Sequence, residues 1–253
     1  MKRYLSFFLL LLIPAFILFF KTKQSPPFTE LTPIESEKSF VFLIYSTETP
    51  KTSEQNISSI LEQKYENYRI ILMETKNLNS SINTIKTMIA KENKSHLLTI
   101  LSFEDESPTI ECFQEVLHIL KNDEIVIQLE CNDWLAHNQV LTKLNQIYLS
   151  NNETWLTYSQ FLEYPSYQKG SIDPYMKKML RTRYNRKIPW LSSPLKIYYA
   201  SLFKQIKTDP TFNYKKPLLP ETLDLYFLPL AEYSKNHIRF IDDVLYVHNT
   251  NPQ

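Results

Sequence analysis

The sequence predicts an α/β fold: a mostly parallel sheet flanked by helices, preceded by one N-terminal membrane-crossing helix. Three observations predict it. From residue 39 onward, apolar runs of strand length alternate with amphipathic helical stretches, the pattern of a helix-covered parallel sheet. Residues 4–20 are almost wholly apolar and are bounded by Lys2, Arg3, Lys21 and Lys23, near the lower length limit for a spanning helix. Acidic residues follow the predicted strands, where ligands of such sheets bind.

Only Ser6 and Pro14 interrupt the apolar segment, and residues 16–20 carry no small-residue cleavage pattern. A retained anchor over residues 1–20 is therefore expected rather than a removed signal peptide. Basic residues at both ends leave its orientation open. Residues 21–38 are polar and proline-bearing, a linker. Residues 39–253 are long enough for one domain with a substantial core.

Within that domain the elements follow in order. FVFLIY (residues 40–45) is a continuous apolar run, as expected of a buried strand. Ser53 can cap a helix whose apolar face is Ile57, Ile60 and Leu61. YRIILM (residues 68–73) is a second strand, followed by a helix carrying Ile82, Ile85, Met88 and Ile89. Residues 96–101 form a third strand; Pro108 opens a helix with Phe113, Leu117 and Leu120; residues 124–129 are the fourth strand. Val140, Leu141, Leu144, Ile147 and Tyr148 mark a further helix, and TWLTYSQF (residues 154–161) alternates like a half-buried strand. Residues 190–206 are amphipathic, with Leu195, Tyr198, Leu202 and Phe203, and residues 238–247 read as a last strand.

Composition excludes several classes. A net charge of +1 offers no argument for a nucleic-acid partner. Gly170 is the only glycine, so neither a Walker loop nor a dinucleotide fingerprint can be written. Cys112 and Cys131 set no disulfide framework. Cys112 falls in a predicted helix and reads as a small core residue, whereas Cys131 lies inside an acidic cluster where a reactive or metal-binding thiol is conceivable. Asn56, Asn79, Asn93 and Asn152 stand in N-x-S/T sequons, which chance also produces in a chain this rich in Asn and Ser.

The strand ends carry the chemistry. Ser46, Thr47 and Glu48 follow the first strand, Glu74 the second, and Glu130, Asn132 and Asp133 the fourth. Parallel strands would bring all of them to one rim. Trp134 reads as a core anchor. The basic stretch Lys177, Lys178, Arg181, Arg183, Arg186 and Lys187 is read as a solvated face, a contact for anionic headgroups or an approach to a diphosphate.

FVFLIYSTE, then LEQKYENYRIILMET, then LECNDWL resemble successive blocks of family 2 glycosyltransferases with the GT-A fold, in a bacterial-type branch. WLTYSQFLEYPS, PWLSSPLKIYYASLF and HIRFIDDVLYVHNTNP resemble the second half of that branch. The resemblance covers residues 39–252. It implies a nucleotide-sugar donor, a hydroxyl acceptor (glycan, lipid or other) and a divalent cation, Mn or Mg, bridging the donor's diphosphate. Glu74 would then meet the nucleobase or ribose, and Ser46, Thr47, Glu48, Glu130 and Asp133 the rest of the donor. Glu130 and Asn132 take the two acidic places of the Asp-x-Asp motif and Asp133 the acid that often follows, the three implied metal contacts. The general base of an inverting transfer would be Asp224, or else Glu221. His248 is a further candidate for a metal or phosphate contact, ahead of His237.

The chain departs from that pattern. Asn132 stands where a carboxylate is usual, Cys131 replaces the glycine between the acids, and Pro194 stands where the branch commonly shows a histidine. The expectation is a membrane-anchored inverting glycosyltransferase. The alternative is a catalytically impaired relative that keeps the fold as a binding or scaffolding module.

Overall fold

The computed structural model describes residues 37–45, 53–75, 79–104, 109–170, 195–205, 230 and 233–251. These belong to one compact unit, Ser36–Gln253. The strands are β1 (Phe40–Tyr45), β2 (Tyr68–Glu74), β3 (Leu98–Ser102), β4 (Ile125–Glu130), β5 (Trp134–Leu135), β6 (Leu156–Tyr164), β7 (Gln168–Lys169), β8 (Lys196–Tyr199) and β9 (Ile238–Asn249). The helices are α1 (Ser53–Leu61), α2 (Asn79–Lys91), α3 (Ile110–Ile119), α4 (Val140–Ser150) and α5 (Ala200–Gln205). Two short 3-10 turns, Ser95–Leu97 and Lys235–His237, lead into β3 and β9.

Among the described residues the strands form a single sheet in the order β3-β2-β1-β4-β8-β6-β9-β5, with β7 on β6. β1 is the centre of its first half. It pairs in parallel with β2 on one side and β4 on the other, and β3 extends the set in parallel. All six residues of β1 are buried, as its unbroken apolar run requires when helices cover both faces. Each such side chain contributes about 1.5–3 kcal/mol by leaving water.

Right-handed crossovers place α1 and α2 on one face, because β1→β2→β3 steps one way, and α3 on the other, because β3→β4 steps back. The contacts agree. α1 packs on α2, while α3 packs on α5 through an edge-to-face pair of Phe113 and Phe203 at 5.4 Å. The expected apolar faces do the work: Ile57 and Ile60 of α1, Ile82, Ile85 and Ile89 of α2, and Phe113 and Leu117 of α3 are buried.

The expectation of a mostly parallel sheet is corrected to a mixed one. β8 runs antiparallel between β4 and β6, β9 runs parallel to β6, and β5 and β7 pair antiparallel. Antiparallel neighbours need no covering crossover helix, so the regular strand-helix alternation lapses in the second half of the chain. β6 is also not half-buried: Leu156 through Phe161 are all buried. The third strand starts later than expected because residues 95–97 turn first.

The single glycine has a packing role. A Cβ at Gly170 would lie 2.0 Å from Cζ of Phe161, so only hydrogen fits where the β6–β7 hairpin closes over that ring. Among the described residues no helix is long and apolar enough to cross a membrane. The expected anchor, the linker through residue 36 and the basic stretch 177–187 lie outside the described residues.

Candidate active site

The strand order reverses between β1 and β4, and the crevice beyond the carboxyl ends at such a switch point is where open α/β sheets bind ligands. Register fixes what stands there. Tyr45, last in β1, pairs with Glu130, last in β4. Glu74, last in β2, pairs with Ser102 and accepts a hydrogen bond from its hydroxyl at 2.6 Å. Glu74 and Glu130 therefore share one rim, separated by two strand spacings, roughly 10 Å.

After Glu130 the chain turns sharply: Asp133 N–H donates to the Glu130 carbonyl at 3.0 Å, and Cys131 N–H to the Tyr45 carbonyl at 2.9 Å. The turn sorts its side chains. Glu130 and Asn132 are partly exposed at the rim, while Cys131 and Asp133 point into the protein. Helix α1 clamps it from below. Asn56, buried, donates its amide to the carbonyls of Glu130 at 3.0 Å and Asp133 at 2.7 Å. Ser59 Oγ accepts from Leu135 N–H at 3.0 Å. Gln63 donates to the His137 carbonyl at 2.8 Å and accepts from Leu141 N–H at 3.1 Å.

Asp133 is held from the other side. Its Oδ1 accepts the Asn249 backbone N–H at 2.9 Å, and both carboxylate oxygens lie 3.2 Å from Nδ1 of His248. Burial works against a charged His248 ring, but the Asp133 hydrogen bond and the charges of Asp133, Glu130 and Glu163 outweigh it and raise its pKa. The Tyr45 phenol, fully enclosed, is pushed far up by burial and then by Glu130 and Asp133.

The Cys131 thiol is driven up by burial and then by the same two carboxylates. It is therefore a poor nucleophile and a poor metal ligand, against the reactive or metal-binding thiol that the sequence left conceivable. Asp133 is a buried strut between the β4 turn and β9. His248 meets Asp133 rather than the rim. His237 lies at the opposite, amino end of β9, stacked on Trp155 at 3.7 Å. Asn56 is too buried to be a glycosylation acceptor. Ser46, Thr47, Glu48, Glu221 and Asp224 lie outside the described residues.

Among the described residues no group of three or more His, Cys, Asp or Glu side chains could hold a metal ion. Glu130 and Asn132 supply one carboxylate and one amide oxygen at the rim.

Asn56, Ser59 and Gln63 were not foreseen as functional. Asn56 and Ser59 lie on α1, and Gln63 lies two residues past its end. The aromatic series of Trp134, Tyr164 and Tyr167, with edge-to-face contacts at 5.3 and 5.6 Å, was likewise not foreseen beyond Trp134, which is buried as expected.

No protein-family model matches the chain, and no curated protein matches it. Solved structures do. The chain is similar to residues 1–349 of S. aureus TarS, with a TM-score of 0.60 and 15% identity over 83% of this chain and 60% of that one. The same protein in complex with UDP-GlcNAc gives 0.57 and 15% over 85% and 59%. The mannosyltransferase PcManGT from Pyrobaculum calidifontis, in complex with GDP-Man and Mn2+, gives 0.56 and 13% over 87% and 59%. The chain thus spans about three fifths of the length of these structures. At such identities the likeness establishes the fold, and that fold is GT-A-like α/β.

Proposed function

We propose that this chain is a glycosyltransferase that moves a sugar from a nucleotide-diphosphate donor to a hydroxyl acceptor with inversion, anchored to a membrane by residues 1–20. One observation carries the reading: Glu74 and the clamped Glu130–Asp133 turn share the carboxyl rim at the sheet's switch point. The similar structures that hold UDP-GlcNAc or GDP-Man support it. Glu74 serves the nucleobase or ribose end of the donor, and Glu130 with Asn132 faces its diphosphate. Ser46, Thr47 and Glu48, which follow β1 in sequence, complete the donor contacts. Asp224, or Glu221, takes the proton from the acceptor hydroxyl as its oxygen attacks the anomeric carbon and the nucleoside diphosphate leaves. A side of the membrane on which donor is supplied is required; a cytosolic face meets that need for a bacterial-type enzyme.

The second reading is a binding module that has lost activity. Asn132 in place of a carboxylate, and Asp133 committed to His248 and Asn249, favour it. Calorimetric titration of the chain with UDP and GDP, with and without Mn2+, separates the two. The transferase reading expects nucleotide binding that tightens with Mn2+. Asn132→Asp should tighten the Mn2+-dependent binding about tenfold further, or about 1.4 kcal/mol, and Glu130→Ala should weaken it. Absence of binding in wild type and Asn132→Asp alike would establish the module instead.

A further inference from the structure

We propose that Tyr167, at the tip of the β6–β7 hairpin, is the platform on which a sugar ring of the acceptor stacks; this rests on the transferase reading above. Among the described residues Tyr167 is the most exposed large hydrophobic side chain, at 56%. Its backbone is left-handed, with φ of 53°, a conformation that bulky residues rarely adopt and that marks functional positions when it occurs. The hairpin enforces it. Tyr167 N–H donates to the Glu163 carbonyl at 2.6 Å, and Gly170 N–H returns to the Phe161 carbonyl at 3.0 Å.

The ring is fixed relative to the acid turn. Tyr167 meets Tyr164 edge-to-face at 5.6 Å, and Tyr164 meets Trp134 at 5.3 Å. Trp134 follows Asp133 directly. Tyr164 also pairs with Asn249, whose N–H binds the Asp133 carboxylate. The carboxyl end of β6 therefore stands on the same rim as Glu130, two strand places beyond β4. Along the rim the order is Glu74 on β2, Glu130 on β4, then the tyrosine on β6. With the nucleobase at Glu74 and the diphosphate at the turn, the β6 end falls on the acceptor's side.

A tyrosine so placed offers a large, rigid, amphipathic face at little entropic cost, suited to the apolar face of a pyranose, while its hydroxyl can bond to the ring's substituents. Among the described residues the other highly exposed tyrosine, Tyr233, bonds to Gln205 and leans on Trp155 at the amino end of β6, away from this rim.

The test is saturation-transfer NMR on the full-length chain in a sugar-free zwitterionic detergent, with UDP present. The probes are maltotriose, cellotriose and chitotriose. At least one trisaccharide should bind to wild type. Its signal should fall at least fivefold in Tyr167→Gly and persist in Tyr167→Trp, with UDP binding equal in all three. Gly accepts the left-handed backbone without strain, so Tyr167→Gly should melt no lower than wild type. A merely structural tyrosine would predict no specific loss of sugar. The proposal is overturned if UDP binds and either no trisaccharide binds or Tyr167→Gly binds it undiminished. Failure of UDP to bind at all sinks the transferase reading and this inference with it.

Discussion

The two rims of the sheet handle charge in opposite ways. At the amino rim, Arg69 opening β2 meets Glu124 just before β4 in a two-pronged pair of 2.8 and 2.9 Å, and Lys121 N–H adds a third bond to the same carboxylate at 2.7 Å. Opposite charges close on each other there. At the carboxyl rim Glu74 and Glu130 end β2 and β4, two strand places apart, while Asp133 behind them is turned inward onto His248. A fold gains nothing in stability from collecting like charges, which repel. The amino rim thus reads as scaffold, and the carboxyl rim is where the proposed donor site lies.

The largest expected effect breaks the scaffold rim alone. Glu124→Ala removes both carboxylate bonds of Arg69, leaving it the Ile119 carbonyl and water, and should cost about 2 kcal/mol in urea unfolding. Nucleotide affinity per folded molecule should not change. The pair also has a pH signature. Burial would raise the Glu124 carboxyl, but the Arg69 bonds, the Lys121 N–H and their charges carry it below its ordinary 4.5. A depressed carboxylate contributes stability above its unfolded pKa and loses it as pH falls through the folded value. The acid limb of the stability curve should therefore flatten in Glu124→Ala.

Comparable in size is the clamp under the site. Asn56→Asp would set a carboxylate against the carbonyls of Glu130 and Asp133, replacing two donated bonds with repulsion. A loss of about 2 kcal/mol is expected, with nucleotide binding weakened about tenfold because the turn no longer holds its shape. A drop in stability with intact nucleotide affinity would show that the clamp belongs to the scaffold, and the contrast between the rims would blur.

The third test concerns the histidine behind the carboxyl rim. His248 should titrate above the ordinary 6.5 by NMR, and in Asp133→Asn it should fall below it, because burial remains while the partner charge is gone. The sign for stability is the reverse of that at Glu124. A raised histidine contributes below its unfolded pKa, and the contribution vanishes as pH rises through the folded value.

How far the sequence foretold all this follows the same division. β1, β2 and β4 were legible because strands buried on both faces are largely apolar: FVFLIY is so throughout, and YRIILM and IVIQLE are broken only at Arg69, Gln128 and Glu130. β8 was not. It has four residues, begins with the buried Lys196 and runs directly into α5, so no period had room to show. β5 and β7, two residues each, lie below any pattern. In the site, Glu74 and Glu130 were legible as acids ending strands. The His248–Asp133 contact joins residues 115 apart, and a single chain carries no trace of such a pairing. Asn56 offered only its sequon, because a side chain's donors say nothing of which distant carbonyls they will meet.

The smallest expected effect probes the seam between the rims. Ser159 sits in β6 at the point where its register with β9 slips. Its hydroxyl is fully buried, with no hydrogen-bond partner among the described residues. A buried hydroxyl without a partner has lost its water and gained nothing in return, so Ser159→Ala should leave stability unchanged or raise it by up to about 1 kcal/mol. Val at the same place would instead press two methyl groups into a filled core and should cost about 1–3 kcal/mol. Thermal melting of both variants decides the matter. If Ser159→Ala lowers stability by more than about 1 kcal/mol, the hydroxyl has a partner, and the slipped register of β6 is held by a bond rather than by packing alone.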